Sequence, residues 1–87
     1  MANIKYKTGQ YYKYELPNKE VIAIIKIIKK EKSYHQAKYV YVKEGIYSWT
    51  EGHIYQTYEN HSIVKKVEQI AFKIIRITEK ELALHQL

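Results

Sequence analysis

The side chains best equipped for chemistry in this chain are phenol rings and ammonium groups set close together. Tyr39, Tyr41 and Tyr55 share one stretch with Lys43 and His53, and Lys26, Lys29, Lys30, Lys32 and Lys38 lie just before it or at its start. Aromatic rings stack on nucleobases for about 1 to 3 kcal/mol each while ammonium groups neutralise phosphates, so this mixture points to sequence-tolerant binding of single-stranded nucleic acid. Both residue types also serve structure alone: tyrosine suits any β surface, and lysine on an edge strand suppresses sheet-to-sheet pairing. Arg76 is the only arginine. Bidentate reading of guanine in the major groove usually requires arginine, so sequence-specific duplex recognition is not expected.

The machinery of catalysis is missing. The chain has no aspartate, and its glutamates form no close pair in an acid/base setting; Glu79 and Glu81 suit the first turn of a helix, and Glu44 and Glu51 suit turns. Absence of cysteine removes disulfides, thiolate metal sites and cysteine nucleophiles together. Ser33, Ser48 and Ser62 stand in no nucleophile motif, and glycines at 9, 45 and 52 are too dispersed to cradle a phosphate. His35, His53, His61 and His85 are not spaced as zinc ligands. The expectation is a non-enzymatic protein without metal or cofactor.

With 87 residues the chain is read as one small domain, 1–87, having a single core and little stability in reserve. Thirteen isoleucines and ten tyrosines tilt it towards strands. Fourteen lysines supply most of the net charge of +6, which favours nucleic acid or an anionic protein surface as partner; an AT-rich coding sequence would also enrich lysine, isoleucine and tyrosine. The longest apolar run, Val21 to Ile25, is too short to cross a bilayer, and the first residues lack a signal-peptide apolar region, so no membrane association and a cytoplasmic location are expected.

The elements that must position the tyrosines and lysines come from the stretch Tyr39 to Tyr58. Glu44-Gly45 and Glu51-Gly52 each separate runs rich in β-branched and aromatic residues, which predicts a meander of strands at Lys38–Lys43, Ile46–Thr50 and His53–Tyr58. With two-residue turns, Val40 faces Trp49 and Ser48 faces Tyr55. One face then collects Val40, Val42, Tyr47, Trp49 and Ile54 as a core layer. The other collects Tyr39, Tyr41, Lys43, Ser48, Thr50, His53 and Tyr55, with Tyr41, Ser48 and Tyr55 in one row.

Before the meander, strands are expected at Gln10–Glu15 and Glu20–Lys30, joined by a turn at Leu16-Pro17-Asn18. Both faces of Glu20–Lys30 are largely apolar, as in a strand covered on both sides, at the centre of a curled sheet, or at a subunit contact. Beyond Tyr58, apolar spacing fits a helix over 60–76, but the β-branched run favours a turn or single helical turn near His61 to Lys66 and a strand at Gln69–Ile77. Thr78 with Glu81 three residues on predicts an N-cap for a helix at Glu79–His85.

The expected fold is mainly β (α+β): a small curled antiparallel sheet, or an SH3-like or OB-like barrel of five to six strands, with a short C-terminal helix. In architecture alone this resembles the small lysine-rich archaeal chromatin proteins, which combine an SH3-like barrel with a C-terminal helix; no motif is shared and no residue is carried over. The expected function is nucleic-acid binding through backbone contacts and aromatic stacking, with little sequence specificity. The alternative is a protein-interaction module, such as a phage or mobile-element regulator or inhibitor that binds a host protein, with the apolar strand in a homodimer contact.

Overall fold

Strand β2, Val21–Lys30, is buried on both faces over Ile22–Ile25, and the rest of the chain is arranged around it. The computed structural model describes residues 5–45, 49–57, 64–67 and 70–86, with side chains throughout except at 64–67 and 70–72. The elements are β1 (Tyr11–Glu15), β2, β3 (His35–Val42), β4 (Ile54–Thr57), β5 (Val64–Val67), β6 (Ile70–Ile77) and α1 (Glu79–His85). They form one six-stranded antiparallel sheet in the order β4-β3-β2-β1-β6-β5.

Three irregularities bend this sheet. Tyr14 pairs with Ala23 but Glu15 with Val21, leaving Ile22 as an extra residue. Val40 is extra between the Ile24–Tyr41 and Ile25–Tyr39 pairs, and Ile28 between the Ile27–Ala37 and Lys29–Gln36 pairs. Each inserted residue increases the local twist and kinks its strand. The sheet curls but does not close into a barrel: among the described residues β4 and β5 are its two edges, and no ladder joins them.

The concave side holds the main core. Tyr12, Tyr14, Ile22, Ala23, Ile25, Ile27, Ala37, Tyr39 and Ile74 pack there, with Tyr6 from the lead-in before β1 and with Trp49 and Tyr55 partly buried against them. The buried isoleucines each contribute about 1.5 to 3 kcal/mol through loss of apolar contact with water. Tyrosine hydroxyls in this core keep partners: Tyr6 meets Thr57 Oγ1 at 3.2 Å, and Tyr12 donates to the Lys5 carbonyl at 3.2 Å while accepting from the Lys7 amide at 2.8 Å. On the convex side, Ile24, Ile77 and Leu82 form a second, smaller cluster beneath α1. Thr78 caps that helix as its spacing predicts, accepting from the Glu81 amide at 3.2 Å. Lys13 ties α1 to the sheet through Glu81 at 2.9 Å, and Gln86 Nε2 donates to the Val40 carbonyl at 3.1 Å.

Two sequence expectations need correction. The expected middle strand of the meander does not stand between its neighbours: β3 pairs directly with β4, Ala37 opposite Tyr55 and Lys38 opposite Ile54. Trp49 and Thr50 lie in a loop, while Ile46, Tyr47 and Ser48 of the same expected strand fall outside the described residues. Backbone bonding gives the reason. Gly52 donates to the Tyr39 carbonyl at 2.7 Å and Tyr39 donates to the His53 carbonyl at 3.1 Å, so the segment after the second glycine already occupies the open edge of β3. Secondly, Val64–Val67 is a strand paired with β6, not a turn or part of a long helix, and Ile70–Ile77 is the strand favoured by its β-branched content.

Candidate nucleic-acid interface

The bulge at Val40 decides where the expected site residues go, because it puts Tyr39 and Tyr41, which regular alternation would have grouped, on opposite faces. Tyr39 is 6% exposed on the concave side, stacked on Tyr55 at 4.7 Å and on Trp49 at 5.3 Å between ring centroids. Burial pushes its hydroxyl up to about 12, against a hydrogen bond from Tyr55 that lowers it. Tyr55 is half-buried in the same stack, and its hydroxyl is hydrogen-bonded to that of Tyr14. Burial raises both of these hydroxyls far above the ordinary tyrosine range. Tyr41 lies on the opposite side, half-buried beneath α1 with its ring 5.5 Å from His85. The row Tyr41-Ser48-Tyr55 is therefore not formed: Tyr41 and Tyr55 belong to opposite sides of the sheet, and Ser48 is outside the described residues.

Lys43 and His53 flank the Trp49 loop. Lys43 forms an ion pair with the Glu20 carboxylate, which neutralises its charge locally. His53 is exposed, near-parallel to the Tyr39 ring at 6.5 Å. Neither adjoins the lysines of β2 and β3 in the sheet register.

Of the remaining expected lysines, Lys26, Lys29 and Lys38 come together on the part of the convex face that α1 leaves open, whereas Lys30, opposite buried His35, falls on the other face. Lys26 of β2 stands directly opposite Lys38 of β3, with Tyr11 of β1 beyond Lys26 and Ile54 of β4 beyond Lys38. One pleat further along, Lys29, Gln36 and Gln56 form a second row. Lys30 and Lys32 are exposed at the end of the β2–β3 hairpin. Alternation puts both rows on the face that carries Ile24 and Tyr41, whose neighbours α1 covers.

Charge on this strip is only partly balanced. Lys29 has Glu31 at 3.4 Å, yet among the described residues Lys26 and Lys38 have no carboxylate within ion-pair distance. Lys26 Nζ rests 5.7 Å from the centre of the Tyr11 ring. Like charges directly opposite in an antiparallel pair repel, at a cost of a few tenths to about 1 kcal/mol, and an anion seated between them would relieve it. Tyr11, Gln36, Ile54 and Gln56 are strip residues that sequence reasoning missed. Aligning Tyr11 with Lys26 and Lys38 required the registers of three strands, two of them interrupted by bulges.

Arg76 pairs with Tyr12, whose ring belongs to the concave core, so the single guanidinium is not part of this strip. Among the described residues no three His or Glu side chains converge as a metal site, and no helix is long and apolar enough to cross a membrane. Comparison with protein-family models, with curated proteins and with solved structures finds no match to this chain.

Proposed function

We propose that this domain binds nucleic acid through its phosphate backbone, without catalysing a reaction, on the convex strip beside α1. The observation that carries the reading is the opposed pair Lys26 and Lys38, exposed or half-exposed on an uncovered face with no carboxylate partner among the described residues. Lys29 extends the positive surface towards the hairpin end, where Lys30 and Lys32 are exposed, and the chain carries a net charge of +6. Backbone binding follows from the residue types: ammonium groups act as point charges for phosphate, and no arginine fork is present on the strip to read a base edge. Stacking by Tyr39 and Tyr55, expected from the sequence, is not part of this proposal, because their ring faces pack against each other inside the concave core.

The test is a fluorescence-anisotropy titration of labelled mixed-sequence oligonucleotides at low and at physiological salt. Affinity is expected to fall steeply with salt, because each neutralised phosphate releases counterions. No detectable binding at low salt would remove the reading.

A protein-interaction reading draws on a different observation. Ile54 is 51% exposed on the edge strand β4, and apolar residues on an open edge suit the addition of a strand from a partner chain. Recovery of one protein partner whose capture is lost in Ile54→Lys, together with no oligonucleotide binding, would favour it.

A further inference from the structure

The strip carries a finer pattern than charge alone. Its first row runs Tyr11, Lys26, Lys38, Ile54 across four neighbouring strands, so two ammonium groups are bracketed by a phenol ring on one side and an exposed aliphatic side chain on the other. At about 4.8 Å between strands this row spans about 14 Å. Its second row, Lys29, Gln36 and Gln56, lies one pleat away, about 7 Å along the strands. On the other side of the first row the next residues, Lys13, Ile24 and Tyr41, are under or against α1. The open surface is thus a short band walled by a helix.

We infer that the ligand of this band is a single strand of nucleic acid, with one phosphate held between Lys26 and Lys38 and unpaired bases resting on Tyr11 and Ile54. This rests on the nucleic-acid reading above and narrows it. A duplex presents phosphates and sugars to a surface it meets along its backbone, and these offer nothing to an exposed isoleucine or to the face of a phenol ring. A single strand has free base faces that stack on aromatic rings and cover apolar side chains in a sequence-tolerant way. The ammonium group of Lys26 lies 5.7 Å from the centre of the Tyr11 ring, and drawn towards a phosphate opposite Lys38 it would uncover that ring for a base. Gln36 and Gln56 in the second row supply amide groups beside the same backbone.

The test uses the full chain and two labelled probes of one mixed sequence, a single strand about twelve nucleotides long and its duplex, long enough to fill the band in either case. The single strand is expected to bind at least about tenfold more tightly than the duplex, and Ile54→Ser to weaken the single strand several-fold while leaving the duplex unchanged. Tyr11→Ala should behave in the same way. Because Tyr11 also packs against the cluster beneath α1, the affinity ratio on the unaltered chain and the exposed Ile54 variant carry the test if Tyr11→Ala fails to fold. Equal affinity for both probes, with Lys26→Gln and Lys38→Gln weakening each alike, overturns the single-strand inference and leaves backbone binding standing. Binding of neither probe overturns both.

Discussion

The hydroxyl groups of Tyr14 and Tyr55 are hydrogen-bonded to each other although β1 and β4 are not neighbours in the sheet. Strands β2 and β3 stand between them, and in a flat sheet three strand spacings of about 4.8 Å would hold the two backbones about 14 Å apart. The bulges at Ile22, Val40 and Ile28 bend the sheet enough for two phenol rings to meet across its hollow. The pair therefore reports on curl directly: the hollow encloses Tyr39 and Tyr55, while alternation leaves Lys26 and Lys38 on the opposite face.

Removing one hydroxyl of this pair deprives the other of a hydrogen bond in a largely apolar setting. Tyr14→Phe and Tyr55→Phe are each expected to cost about 1 to 2 kcal/mol in urea unfolding. The double variant should cost less than the two single changes added, since both remove the same bond. Full additivity in that cycle would show that the two hydroxyls do not interact.

Alkaline pH should act on the same core. Burial pushes the Tyr39 hydroxyl up to about 12 from the ordinary 10.0, and burial raises Tyr14 and Tyr55 further in the same direction. The folded state holds these protons more tightly than the unfolded chain. Their contribution is therefore complete below about pH 10 and is lost as pH rises from there through about 12. Phenolate absorbance should show a late, cooperative step that coincides with loss of structure by circular dichroism. Simultaneous ionisation of all ten tyrosines at their ordinary value, with the fold intact, would contradict this.

Much of the sheet was legible in local sequence, and the site was legible only in part. β-branched runs located β2 and β6, proline marked the first turn, and Thr78 with Glu81 located α1. Gly45 and Gly52 take positive φ, as turn glycines should. What they do not determine is which strands pair. Whether the segment before or after Gly52 lies beside Tyr39 depends on tertiary gain, and placing Trp49 against Tyr39 and Tyr14 in the hollow outweighs a regular middle strand. That single difference changes the surroundings of Tyr39 and Tyr55 from solvent to core. The extra residues Ile22, Val40 and Ile28 arise from the register between paired strands, which no residue pattern within one strand announces.

Capping of α1 supplies a separate check on the wall of the proposed band. Thr78→Ala removes the side-chain acceptor for the Glu81 amide, and about 1 kcal/mol of stability is expected to go with it. Amide exchange in Glu79–His85 should accelerate more than exchange in β2, because the cap acts on the helix first. Equal acceleration throughout would mean that α1 and the sheet open only together.

The turn between β1 and β2 offers a stabilising change. Lys19 has φ 75, a left-handed conformation that strains a side chain with a Cβ, while its amide donates to the Leu16 carbonyl at 2.9 Å. Lys19→Gly should relieve about 1 kcal/mol of that strain, offset in part by the greater freedom of glycine in the unfolded chain. The expected outcome is a melting temperature raised by a few degrees. Oligonucleotide affinity should change little, because Lys19 is remote from the strip in the sheet register.

The lysines themselves can be ranked by their partners. Lys43 is ion-paired with Glu20 and Lys29 lies 3.4 Å from Glu31, whereas Lys26 and Lys38 have no carboxylate at that range among the described residues. A cation already neutralised within the protein releases fewer counterions from bound nucleic acid, so its loss alters the salt dependence less. In plots of log affinity against log salt, Lys26→Gln and Lys38→Gln should each reduce the slope, by about one when both are changed together. Lys43→Gln should leave it nearly unchanged, although all three substitutions remove one formal charge. If the three variants instead shift the slope equally, net charge governs binding and the arrangement of the strip does not. That outcome would detach the function from the opposed pair and return it to bulk composition.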